Sequence, residues 1–283
     1  MKIKKRCSRP TPETGINRRT FFAASASVAG ALATGLPRPA LAQSKQNTFV
    51  LVHGAWHGGW CWRDVRSRLE GEGHRVYTPT MTGLAVHSHM LTADVDMNTH
   101  IVDVVNLFRW YDLEKVTLVA HSYAGWVCSG ALEAVERNVS SLVMVDAFLP
   151  EDGTSAYDTN SPDQKVELDK LRASGVITRP SPPARAFGVK TDKNRAWVDS
   201  KTTPQPVAAA YTKATLSGAR ERVKKKLFVR AEGFAQPAFA ANYEATKADP
   251  TWNTYGVSAE DAGHDIMVDA PDLLSKLILD AAN

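Results

Sequence analysis

From residue 48 onward, short β-branched apolar runs alternate with segments of helical period, and this rhythm leaves few folds open to the chain. TFVLV at 48–52 reads as a buried strand and residues 60–72 as a helix ended by Gly73. HRVYTP is a second strand, and IVDVVNLFRWY, with Ile101, Val104, Val105 and Phe108 on one face, a second helix. VTLVAH at 116–121 is a third strand, followed by a helix from 124 to about 137 and by SLVMV at 141–145. The order resumes with KLFVR at 226–230, a helix near 237–247, TWNTYGV and a closing helix over 271–282. Strands separated by helices cannot pair as hairpins, so the pattern predicts an α/β fold: a mostly parallel sheet of about six strands, flanked by helices.

Between about 147 and 225 the rhythm breaks. The segment is rich in Pro, Ser, Thr and charge, as in PSPP at 180–183 and TTPQP at 202–206, with helical stretches near 163–174 and 206–216. Structureless loops of this length are uncommon. The segment is therefore expected to be an inserted lid over the carboxyl edge of the sheet.

The first 42 residues do not share the pattern. Residues 2–19 carry Lys2, Lys4, Lys5, Arg6, Arg9, Arg18 and Arg19 against one acid, Glu13. Arg18 and Arg19 precede two phenylalanines, the weakly apolar run AASASVAGALATG and the tripeptide Ala40-Leu41-Ala42. This stretch resembles a twin-arginine export signal cleaved after Ala42, which implies passage through the twin-arginine machinery to the periplasm and a mature domain over 43–283. The full chain has a formal net charge of +4, but eight of its 34 basic residues and one of its 30 acids lie in the leader. The mature part is mildly acidic, which argues against a nucleic-acid partner or an anionic membrane surface. Outside the leader only Cys61 and Cys128 remain, and both are expected to be buried thiols.

The sharpest motif is VTLVAHSYAGW, in which a strand runs through Ala120-His121-Ser122-Tyr123-Ala124 into a helix. A serine on such a strained turn is a nucleophile elbow when the residues two before and two after it are small, as Ala120 and Ala124 are. A serine hydroxyl needs a base to take its proton, and a third group to fix the tautomer of that base. His264, in AEDAGHDIM between the last strand and the last helix, is the only histidine downstream. Upstream, FVLVHGAWHGGW ends a strand in a glycine-rich turn, where backbone N–H groups can approach a developing oxyanion. The expected donors are the amides of Ala55 and Tyr123. Asp146 and Glu232 each follow a strand, and either could serve as the third group; Asp261 and Asp265 read as solvated loop residues. His53 and His57 read as partners of loop backbone. No histidine pair has metal-ligand spacing with a third ligand nearby, and no GxGxxG follows a strand, so neither a metal nor a dinucleotide cofactor is expected.

HGAWHGGWCW, TPTMTGL, AHSYAG and the late GHD together resemble one branch of the α/β-hydrolases, from about residue 48 to the end. That branch contains plant methylesterases and hydroxynitrile lyases and bacterial hydrolases of pyrethroid and carbamate pesticides. The resemblance implies an α/β-hydrolase fold and a serine esterase of small-molecule esters. AEGFAQPAF resembles the family segment whose acid lies five residues before a proline, here Pro237, which favours Glu232 as the triad acid. Plant hydroxynitrile lyases carry a lysine after the base to hold cyanide; here that residue is Asp265, which turns the expectation from lyase to hydrolase. A binding protein that has kept the fold without the chemistry is the other alternative, disfavoured by the presence of nucleophile, base, acid and oxyanion loop. Trp56, Trp126 and Trp197, with Leu171, Val176, Phe187, Val207 and Tyr211, suggest a pocket for a medium-sized aromatic or apolar ester.

Overall fold

The alternating rhythm closes into one twisted parallel sheet in the computed structural model, which describes residues 46–283. The proposed export signal lies outside the described residues. In chain order the strands are Thr48–Val52 (β1), Arg75–Tyr77 (β2), Val116–His121 (β3), Val139–Val145 (β4), Thr178–Arg179 (β5), Gln205–Pro206 (β6), Lys225–Ala231 (β7) and Trp252–Val257 (β8). Six of them form the main sheet in the order β2-β1-β3-β4-β7-β8, every neighbouring pair parallel.

The helices are Arg63–Gly71 (α1), Met97–Trp110 (α2), Ala124–Val135 (α3), Pro162–Ala173 (α4), Asp192–Asp199 (α5), Ala208–Tyr211 (α6), Ala219–Arg222 (α7), Pro237–Ala248 (α8), Ile266–Asp269 (α9) and Pro271–Ala282 (α10). Helix α2 starts before its apolar face because Asp96 caps it: the Asp96 carboxylate accepts from Thr99 N at 3.0 Å, and the Thr99 hydroxyl accepts from Asp96 N. The helix expected over 60–72 begins instead as a 3₁₀ turn, Gly59–Trp62, before α1.

Side chains of the central strands alternate between two cores, as the pleat requires. Val50, Val52, Leu118, Ala120, Leu142 and Met144 face the layer holding α2 and α3. Phe49, Leu51, Val119, Val143 and Val145 face the layer of α1 and α10. With both faces covered, the strands could be apolar along their whole length.

Because the strands are parallel, their carboxyl ends share one edge, where ligand sites of open α/β sheets lie. Ala55 follows β1, Ser122 follows β3, Asp146 follows β4, Glu232 follows β7 and His264 lies beyond β8. Between β4 and β7 the chain leaves the sheet and forms α4–α7 and the small antiparallel pair β5–β6 before it returns.

Candidate active site

Strand β3 delivers Ser122 to the edge in a left-handed backbone conformation, φ 54°, that side chains other than glycine rarely adopt. The turn is held from outside: Ser122 N donates to Val145 O, and the Ser122 carbonyl accepts from Gly125 N and Phe148 N. A Cβ on Gly125 would stand 2.0 Å from the Phe148 carbonyl oxygen, so this first turn of α3 passes too close to the segment after β4 for any side chain. Gly54 is equally constrained, since a Cβ there would meet His121 and Ser122 at 2.8 and 2.9 Å. The loop after β1 therefore lies directly against the elbow.

His264 projects from the loop after β8, its ring stacked against Phe234 at 4.4 Å and Phe239 at 5.3 Å between centroids. Its Nδ1–H donates to Asp146 Oδ2 at 2.6 Å. That bond fixes the tautomer and leaves Nε2 as the nitrogen able to take a proton. Asp146 is fully buried; its other oxygen accepts from the Arg230 guanidinium and from Ala231 N. Ser122 and His264 line the same cavity, about 290 Å³ in volume.

The structure corrects the choice of Glu232 as the partner of His264. Its side chain is exposed, and its carboxylate occupies the space beside Gly256 where a Cβ would fall, near the Tyr243 hydroxyl. The reason is local: β7 extends to Ala231, and Glu232 N pairs with Val257 O, so the carboxylate turns outward over β8. The signal for Asp146 was present in VMVDAFLP, an acid ending a buried strand, with Arg230 on the adjacent strand as its counter-charge.

The loop after β1 is built on two histidines. His53 Nε2 accepts from Met81 N, so its Nδ1 carries the proton and donates to Gly54 O at 2.8 Å. Burial lowers the His53 pKa to about 3, which keeps the ring neutral. The Gly54 carbonyl shares a trans peptide with the Ala55 N–H, which points the opposite way. Among the described residues neither the Ala55 nor the Tyr123 N–H donates to a protein acceptor, and both residues line the cavity. Two residues beyond Ala55, His57 Nδ1 bonds Ala55 O, and between them Trp56 N donates to Gln205 Oε1 on β6, which ties this loop to the insertion.

Asp265 is also corrected. It is not solvated but fully buried, with Oδ2 3.2 Å from His57 Nε2. Burial alone would raise its pKa, yet the charge and hydrogen bond of His57 hold it down at about 2. It does not line the cavity, so its charge is not set against a departing anion there, and the argument from Asp265 against lyase chemistry falls.

Of the expected pocket residues, Trp56 and Phe187 line the cavity. Trp126 does not: it lies one helical turn past Ser122 and is buried in the core against Phe148. Trp197 does not either, because it packs edge-on against Trp60 at 5.1 Å beneath the Arg63 guanidinium. Leu171, Val176, Val207 and Tyr211 also lie off the cavity, whose apolar walls are completed by Phe148, Leu168, Phe234 and Phe239. Cys61 and Cys128 are both free and buried. Among the described residues no group of three or more His, Cys, Asp or Glu side chains could hold a metal ion, and no helix is long and apolar enough to cross a membrane.

Residues 49–277 match the model of the alpha/beta hydrolase family. The carbendazim hydrolyzing esterase of Nocardioides sp. (strain SG-4G) is 36% identical over 238 residues, covering 81% of this chain and 96% of its own. Methylesterase 10 of Arabidopsis thaliana is 26% identical over 265 residues, or 85% of this chain and 93% of the relative. In fold, an extracellular alpha/beta-hydrolase from a Paenibacillus species superposes with a TM-score of 0.72 at 23% identity, covering 83% of this chain and 98% of that one. A serine-to-alanine variant of a pyrethroid hydrolase superposes at 0.61 with 20% identity, covering 84% and 97%. With the family model spanning most of its length and esterases as its relatives, the chain belongs to the alpha/beta hydrolase family and is a carboxylic ester hydrolase.

Proposed function

We propose that the chain hydrolyses medium-sized aromatic or apolar esters through a triad of Ser122, His264 and Asp146. The observation that carries this reading is the 2.6 Å contact between His264 Nδ1 and Asp146 Oδ2, at a cavity into which the elbow presents Ser122. Ser122 Oγ attacks the ester carbonyl while His264 Nε2 takes its proton, and Asp146 stabilises the imidazolium. The amides of Ala55 and Tyr123 bond the tetrahedral oxyanion. His264 then returns the proton to the departing alcohol, and water releases the acid by the same steps in reverse roles.

Substrate class follows from the walls. Trp56, Phe148, Phe187, Phe234 and Phe239 surround a cavity large enough for one aromatic ring and a short chain, and the name of the 36% identical relative points to a carbamate ester of that size. Arg18, Arg19 and the Ala40-Leu41-Ala42 tripeptide support export by the twin-arginine pathway and work in the periplasm.

The test is hydrolysis of p-nitrophenyl esters of graded chain length beside aromatic and carbamate esters, with fluorophosphonate labelling of the nucleophile. Ser122→Ala should abolish both labelling and turnover while leaving the fold intact. Activity within about tenfold of wild type would exclude Ser122 as nucleophile, because loss of a triad serine costs several orders of magnitude. Cyanide release from mandelonitrile without esterase activity would move the reaction to the lyase class.

A further inference from the structure

His57 presents both ring nitrogens to oxygen acceptors. Nδ1 lies 2.8 Å from Ala55 O and Nε2 3.2 Å from Asp265 Oδ2, and both residues are buried. A neutral imidazole has one N–H and one lone pair, so it cannot donate to a carbonyl and to an ionised carboxylate at once. The ring also stacks on the face of Trp60 at 5.2 Å, an arrangement that favours a cation.

The contact joins parts of the site that are distant in sequence. Asp265 directly follows His264, and His57 grips the carbonyl next to the Ala55 amide. His121, which precedes Ser122, donates its Nε2–H to His264 O at 3.1 Å. Oxyanion loop, elbow and base loop thus meet in one buried cluster.

We infer that His57 and Asp265 form a buried imidazolium–carboxylate pair that acts as a positioning element, locking the oxyanion loop to the base loop so that the Ala55 N–H is aimed at the developing oxyanion. This rests on the ester-hydrolase reading above, with Ala55 as a donor. The ionisable groups facing the pair are His53, His121, Cys61 and His264, the last of which acts on Asp265 by its charge when it has taken the serine proton. Burial keeps His53 and His121 neutral, and burial with the nearby Asp265 charge keeps Cys61 a thiol. Phe187 closes the remaining side of the His57 ring at 5.6 Å. Burial alone would lower the His57 pKa, but the Asp265 charge and hydrogen bond raise it. As pH rises through that raised value, the ring keeps the proton it shares with the Asp265 carboxylate and loses the one on Nδ1, so a lone pair is left facing the Ala55 carbonyl and the grip on that loop is lost.

The experiment combines ¹⁵N NMR of the histidine rings with steady-state kinetics on the purified protein, His57 being assigned through His57→Gln. At pH 7 wild-type His57 should carry protons on both nitrogens, and in Asp265→Asn on one, since the asparagine amide can donate to a neutral Nε2. Asp265→Ala and His57→Ala should each lower kcat about 10- to 100-fold with KM within about threefold, because they misplace a donor that acts in the transition state. The double variant should fall no more than about threefold below either single one. Asp265→Asn should recover at least about tenfold of the kcat lost in Asp265→Ala and should lack the alkaline fall in kcat that follows His57 deprotonation. Should Asp265→Ala fail to fold, the Asp265→Asn spectrum and pH profile carry the test. A singly protonated His57 in active wild-type protein, or folded alanine variants with unchanged kcat, would overturn the inference. A wild-type protein without esterase activity would instead sink the reading on which it rests.

Discussion

Asp146 and His264, 118 residues apart in sequence, meet at 2.6 Å, and the second oxygen of Asp146 is pinned by Arg230 and by Ala231 N. A carboxylate held on both sides cannot swing away from the His264 ring. Asp146→Asn should therefore lower kcat by about 10³- to 10⁴-fold, as loss of a triad acid does, with little change in KM. Glu232→Gln, at an exposed side chain, should stay within about threefold of wild type. The opposite ranking in p-nitrophenyl ester kinetics would return the acid to Glu232.

The elbow predicts a pair of glycine variants with opposite signs. A Cβ at Gly125 would be driven into the Phe148 carbonyl at 2.0 Å, and both partners are backbone. Gly125→Ala should cost about 1–3 kcal/mol of stability in urea unfolding and also disturb Ser122. Gly71, at the end of α1, has open space where its Cβ would go, so Gly71→Ala should be neutral or stabilising by up to about 1 kcal/mol. Equal effects of the two substitutions would contradict the packing described.

Stability should fall at both ends of the pH scale through one pair of residues. The folded-state pKa of Asp265 is depressed from 3.8 to about 2, so its contribution is full above about pH 4 and is lost as pH falls toward 2. The size is about 2 kcal/mol. The His57 pKa is raised above 6.5, so its contribution is full below that value and lost as pH climbs through the raised one. Thermal melts of wild type and Asp265→Asn across pH should converge at both extremes and differ most near neutrality. A constant difference across the range would show that the pair carries no proton-linked stability.

Export can be tested independently of catalysis. Replacing Arg18 and Arg19 by lysine keeps the charge but removes the arginine pair, so uncleaved precursor should accumulate in the cytoplasm. Normal processing of that variant, followed by immunoblot of periplasmic fractions, would refute a twin-arginine route.

The sheet was legible in the sequence because each central strand is buried on both faces, and such strands announce themselves as unbroken apolar runs like TFVLV and VTLVAH. That Ser122, His264 and Ala55 would come together at one sheet edge was legible because elbow, late histidine and glycine-rich turn each sit at the end of a recognisable strand. The carboxylate bonded to His264 was not, since two candidates end adjacent strands, and only the outward turn of the chain after Ala231 separates them. Asp265 misled because a charged residue in a loop reads as solvated. Its burial depends on His57, 208 residues away, which no local pattern reveals. Trp126 and Trp197 failed for a related reason: aromatic side chains near a site in sequence still have a core to fill, and helix phase decides which they serve.

The excursion between β4 and β7 supplies much of the cavity wall, among it Leu168, Arg179, Phe187 and Gln205, while Ser122, His264 and Asp146 stay on the sheet edge. Much of the wall is thereby carried on a different stretch of polypeptide from Ser122, His264 and Asp146. A laboratory seeking new preferences can therefore randomise wall positions such as Ala156, Thr159, Gln164 and Leu168 while keeping Phe148, Phe187 and Gln205, which brace the elbow, the His264 loop and the loop after β1.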